Sequence, residues 1–233
     1  MKSIINTILL MTFFSSVVMA ASGQKESEPG MNANYKQNLI QSVVSVNAVP
    51  TPMQTFHVSY VLPSGYPNKG VDGRDAVGGT VYVYTSNADG KIRKPIIMPE
   101  AFGPDDVRNW DSLYKRMNTL NTLECLRTLG YDFIVINYDE GGNFIEHNAY
   151  LSEKIIEWVN SVKITPEKNV VFGPSMGGLV ARYALTYMEK NNINHDTRLF
   201  ISFDSPQYGA NVPLGLQYMV RYWNDRVGGD DAT

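Results

Sequence analysis

From Thr55 onward the chain alternates between two hydrophobic rhythms, one of period two and one close to 3.6, and their order predicts the architecture. "TFHVSYVL" and "GGTVYVYTS" read as strands, and "NADG", Asn87 to Gly90, as a turn leading to "KPIIMPE". Together they predict an antiparallel entry of about three strands. "WDSLYKRMNTLNTLECLRTLG" then carries Trp110, Leu113, Met117, Leu120 and Leu126 on one helical stripe, with Gly130 suited to the C-terminal cap. "YDFIVINY" is a buried strand, "AYLSEKIIEWVNSVK" a helix with Leu151, Ile155, Ile156, Val159 and Val162 inward, and "NVVFG" the next strand. A helix striped by Leu179, Val180, Tyr183, Ala184, Tyr187 and Met188 follows, and "RLFISFD" closes the series. Strands alternating with helices predict an α/β fold, a mostly parallel sheet with helices on both faces. Ligand sites in such sheets lie beyond the carboxyl ends of the strands, which sorts each polar residue by the edge it occupies.

The first 20 residues, "MKSIINTILLMTFFSSVVMA", have a different pattern. Lys2, an apolar stretch from Ile4 to Val18 and the small residues Val18 and Ala20 around Met19 read as a secretory signal peptide cleaved near Ala20. The stretch is too short, and too interrupted by Thr12, Ser15 and Ser16, to favour a membrane anchor. The expectation is therefore a secreted or periplasmic protein. Residues 21–38 are polar and read as a flexible arm, leaving 39–233 as one domain. The net charge of −3, with no basic block, argues against nucleic acid as a partner. Cys125, the single cysteine, sits among helical leucines and reads as a buried structural thiol, so no internal disulfide forms.

Candidate chemistry centres on "NVVFGPSMGGLVARYAL". Gly173-Pro174-Ser175-Met176-Gly177 fits G-x-S-x-G, and it lies between an expected strand and an expected helix, which is the context that gives the pattern meaning. A turn this tight leaves no room for side chains two residues either side of the serine, hence Gly173 and Gly177. Ser175 is then a candidate nucleophile, and the free N–H of Met176 at the helix start can stabilise an oxyanion. No lysine follows the glycines as a phosphate-binding loop requires. Neither a metal nor an organic cofactor is implied; Asp139-Glu140-Gly141-Gly142 reads as a solvated turn rather than a metal site.

Through "GPSMGGLVARYAL", "IIMPEAFGPDD" and "FDSPQYGANVPLG" the sequence resembles the α/β-hydrolase superfamily, in its lipase and esterase branch related to lipid deacylases, over about Thr55 to Gln217. The resemblance implies a second oxyanion donor from the loop after the third strand, here Phe102 N–H with Ala101 beside it, and a triad in the order serine, acid, histidine. Relatives usually carry glycine where Ala101 stands and, in lipases, often histidine where Pro174 stands. Asp204, at the carboxyl end of the last strand, is either the triad acid or a hydrogen-bond partner for the loop that begins at Pro206. The three histidines do not supply the base in that order. His57 precedes the serine in the first strand, and His195 precedes "RLFISFD" and so belongs to the opposite edge. His147 follows "YDFIVINY" on the correct edge and reads as a surface or pocket-wall residue, the alternative being a base that breaks the family's chain order.

The family pattern further implies a cap, more strands and a histidine loop after residue 210, so the chain reads as incomplete at its C-terminus. Leu214, Leu216, Tyr218, Met219, Tyr222 and Trp223 suit the start of a cap helix facing an acyl pocket. The expected activity is hydrolysis of carboxylic esters of lipid or acyl type, with transient contact with a lipid surface. The alternatives are thioester or amide cleavage, or an inactive fragment or binding domain on the same fold.

Overall fold

In the computed structural model, residues 49–63, 75–103, 109–118 and 121–227 are described. The expected leader and polar arm lie outside them. Six strands, β1 (Gln54–Val61), β2 (Ala76–Tyr84), β3 (Lys94–Pro99), β4 (Tyr131–Tyr138), β5 (Asn169–Pro174) and β6 (Thr197–Phe203), form one sheet in the order β1-β2-β4-β3-β5-β6. The β1-β2 and β2-β4 pairs are antiparallel, and every pair from β4 to β6 is parallel. The sequence placed β3 in the antiparallel entry. Instead it runs parallel between β4 and β5, so the chain passes over the position of β4 and returns to fill it. Pairing of β3 with both neighbours buries all but its first residue, which suits "KPIIMP" better than a sheet margin does.

Helices α1 (Trp110–Met117), α2 (Thr122–Thr128), α3 (Ile145–Val162), α4 (Met176–Lys190) and α5 (Leu214–Val227) follow in chain order. Successive strand residues point to opposite faces, so the central strands feed two cores. Ile134, Ile136 and Tyr138 of β4, with Val81, Val83, Ile97 and Val171, pack under α3 and α4. Phe133 and Val135, with Tyr82, Tyr84, Ile96, Met98 and Val170, pack under α1 and α2. The result is the expected mostly parallel sheet covered on both faces.

Three helix readings change, the smallest being that Val162, expected inward on α3, is exposed at its last turn. The segment expected to be one helix from Trp110 to Gly130 is two. The Asn118 N–H closes α1 on the Tyr114 carbonyl, while its side-chain oxygen caps α2 by accepting from Leu123 N–H at 2.9 Å. Asn121, at φ 56°, makes the break, and Gly130, at φ 85°, ends α2 as expected. Cys125 lies on α2 but is only half-buried. On α4, Tyr183 is exposed, and Ala181 and Leu185 complete the buried stripe instead. Among the described residues no helix is long and apolar enough to cross a membrane.

Candidate active site

β5 ends at Pro174 and α4 begins at Met176; between them Ser175 stands at φ 50°, ψ −126°. Five described non-glycine residues have positive φ, and the other four are Asn or Asp, which tolerate it. A serine has no such excuse, and the conformation costs roughly 1–3 kcal/mol that surrounding structure must offset.

That structure is built on absent side chains. A Cβ on Gly173 would overlap Gly178 Cα and stand 2.5 Å from the Gly177 carbonyl oxygen. One on Gly177 would lie 2.6 Å from the Pro99 carbonyl oxygen and 2.7 Å from that of Glu100. One on Gly178 would overlap Ser205 Oγ and stand 2.8 Å from the Gly173 carbonyl oxygen. Strand, helix and the end of β3 therefore meet backbone to backbone, as expected for Gly173 and Gly177. Gly178 and Ser205 escaped the sequence reading, although the glycine pair in "SMGGL" was its visible trace. Ser205 Oγ donates to the Gly173 carbonyl at 3.2 Å, bracing the turn from β6.

The Ser175 side chain is exposed and makes no capping bond to its helix, so its hydroxyl is free of structural duty at the helix end. Its own N–H is taken by the Phe203 carbonyl at 2.9 Å. Of the two amides at the turn, that leaves Met176 N–H, which as the first residue of α4 lacks an intrahelical acceptor.

The loop after β3 is held at its root. Glu100 N–H donates to the Ile136 carbonyl at 3.1 Å, and the buried Glu100 carboxylate accepts the Tyr138 N–H at 2.8 Å. Sequence patterning gave no sign of this buried acid, because its partner lies 38 residues away. Ala101 is half-buried, the Phe102 side chain is 54% exposed, and Gly103 is buried. Gly177 touches this same root, so the nucleophile and the loop proposed to carry the second oxyanion donor are adjacent.

Asp204 follows Phe203 directly and is exposed at φ 48°. The Ser175–Phe203 bond brings it to the nucleophile's edge, and among the described residues its carboxylate makes no hydrogen bond to the Pro206 loop. In that loop, Gln207 Nε2 instead donates to Ser202 Oγ at 2.8 Å.

His195 lies where the sequence put it, before β6, its Nδ1 accepting the Thr197 N–H at 3.0 Å. His147 departs from the reading as a surface or pocket-wall residue. It is fully buried in the first turn of α3, edge-on to Phe144 at 5.3 Å between ring centres. His57 was set aside by chain order, and the neighbouring acids were read as a solvated turn. The structure joins them, with His57 Nε2 2.8 Å from an Asp139 carboxylate oxygen. The Tyr138 hydroxyl is held by Ser152 Oγ at 2.6 Å and burial pushes its pKa up, so it stays a neutral structural group. Among the described residues no cluster of His, Cys, Asp and Glu is arranged to hold a metal.

A mostly parallel sheet under two helical layers, with a strained serine on the strand-to-helix turn at its carboxyl edge, is the α/β-hydrolase fold. No protein-family model matches the sequence. No curated protein matches it either. Solved structures similar to this chain include the peroxisomal α/β-hydrolase Lpx1 of Saccharomyces cerevisiae, at 17% identity and TM-score 0.47, over 74% of this chain and 53% of that one. Another is brefeldin A esterase, described as a bacterial homologue of human hormone-sensitive lipase, at 14% identity and TM-score 0.41, over 85% and 58%. A Pyrobaculum calidifontis esterase matches at 12% identity and TM-score 0.41, over 76% and 54%. The chain spans a little over half the length of each of these structures.

Proposed function

We propose that this is the nucleophile-bearing part of an exported serine hydrolase that cleaves carboxylic esters of lipid or acyl type. The observation that carries the reading is Ser175 itself, exposed, strained and free of capping duty on a turn that three glycine contacts hold in place. Ser175 Oγ attacks the acyl carbon, and the Met176 and Phe102 N–H groups receive the developing oxyanion. Asp204 orients a histidine. That histidine comes from outside these 233 residues, because His57 lies on β1, four strand positions from β5, His195 lies at the opposite edge and His147 is enclosed in α3. The leader pattern supports export to the periplasm or beyond. Exposed Phe102 and the apolar surface of α5 support an acyl substrate and passing contact with lipid.

The position of the histidines also favours a second reading, a binding domain that keeps the fold without turnover. A fluorophosphonate probe separates the two when applied to the chain and to Ser175→Ala and read by intact mass. A single adduct lost in the alanine variant supports the nucleophile; because the base is read as lying outside these residues, no adduct sends the question to the gene beyond Thr233, where a downstream histidine keeps the hydrolase and its absence overturns it in favour of the binding domain.

A further inference from the structure

The turn after β4 lies directly against the loop after β3. A Cβ on Gly141 would stand 2.7 Å from the Gly103 carbonyl oxygen and 3.4 Å from the Gly103 nitrogen, and one on Gly142 would lie 3.6 Å from the Phe102 ring. The turn is anchored at both ends. At its start the Asp139 N–H donates to the Gly78 carbonyl at 3.0 Å. The Asp139 carboxylate lies over Gly78, in space that a side chain there would need, and meets His57 Nε2 at 2.8 and 3.0 Å. At its end the Glu140 carbonyl accepts from Asn143 N–H at 3.0 Å and from Nδ2 of fully buried Asn148 at 3.2 Å. Gly177 meets the root of the same loop from the side of the nucleophile. The segment Glu100–Gly103 is thus clamped between two backbones.

We propose that Asp139, held by His57, is a positioning residue for this clamp, fixing through Gly141 where the Phe102 N–H stands relative to Ser175. The proposal rests on the serine-hydrolase reading above. Both side chains of the pair are about half exposed, 54% for His57 and 43% for Asp139, so solvent screening keeps its contribution to overall stability small. Its leverage is geometric. The turn it anchors presses on the loop at van der Waals distance, and a displacement of order 1 Å at a catalytic group costs about 100-fold in rate. A small effect on folding combined with a large effect on the reaction is the signature that separates positioning from mere support.

The test compares wild type with Asp139→Ala, with the conservative Asp139→Asn, which keeps an acceptor for His57, and with Ser59→Ala on the same strand as His57. Amide hydrogen exchange is followed in the peptide containing Glu100–Gly103, and phosphonylation of Ser175 is resolved into its maximal rate and its half-saturating probe concentration. In Asp139→Ala, loop exchange rises about tenfold and the maximal rate falls at least about tenfold, with half-saturation and thermal midpoint near wild type. Asp139→Asn recovers most of both, and Ser59→Ala changes neither. Unchanged loop exchange in Asp139→Ala overturns the proposal, as does a rise shared equally by all six strands. Exchange needs no reactivity at Ser175, so in a chain that never labels, loop exchange alone still decides the clamp, independently of the hydrolase reading.

Discussion

At the scale of single residues, the site depends on atoms that are absent. Around Gly173 the nearest obstacles are all backbone, from Gly177 and Gly178, and backbone cannot swing aside as a side chain can. Gly173→Ala is therefore expected to destabilise the fold by about 1–3 kcal/mol, read as a lower urea midpoint with unchanged slope. An alanine accommodated without loss would show that strand and helix can separate, contrary to the geometry. Glu153 raises a different question. It is buried on α3 with Lys154 at 3.4 Å, and burial raises its pKa more than the lysine lowers it. The folded state thus binds the proton more tightly than the unfolded state, where a glutamate titrates at about 4.3. The associated stability is present below that pH and is lost as pH rises through the raised folded value. Glu153→Gln should accordingly be more stable than wild type at pH 7, with the difference closing as pH falls below about 4. Thermal melts at both pH values check it, and equal midpoints at pH 7 would mean that Lys154 offsets the burial.

At the scale of elements, Asn118 decides where α1 ends and α2 begins, by closing one with its backbone and capping the other with its side chain. Asn118→Ala should cost about 1 kcal/mol in chemical denaturation, in line with loss of a helix cap. No change in the midpoint would show that the break is imposed by packing alone. Asn118 also shows why the sequence misled. Its neighbours keep helical spacing on both sides of the break, so periodicity carries through a point where a local side-chain bond stops the helix. By contrast β4 and α3 were legible, because burial on both faces of a strand and along one stripe of a helix leaves the period intact. The elbow was legible for a related reason, since its glycines are compressed into six residues, Gly173 to Gly178. Glu100 with Tyr138, Asp139 with His57 and Ser205 with Gly173 were not, since each joins residues 32 to 82 positions apart. The passage of β3 past β4 was hidden likewise, because strand patterning fixes which face is buried and not which neighbour is chosen.

At the scale of the whole molecule, the described surface carries exposed apolar residues on α5 and on β6. Leu214, Leu216, Tyr218, Met219 and Tyr222 of α5 are all exposed, and on the outermost strand β6 Leu199 is 44% exposed. Changing Leu216 and Met219 together to lysine should lower binding of a hydrophobic dye and reduce self-association, while the free energy of unfolding changes by no more than about 0.5 kcal/mol. A marked loss of stability would show that α5 is packed after all. The order of the sheet has a further consequence, in time rather than in space. The loop at Glu100, the turn at Gly141 and the elbow at Ser175 come from three separate stretches of chain, and they meet only once β3 has inserted between β4 and β5. Pairings across such separations form slowly compared with local helices. If Ser175 reacts at all, the onset of its reactivity during refolding would therefore serve as a clock for the insertion of β3.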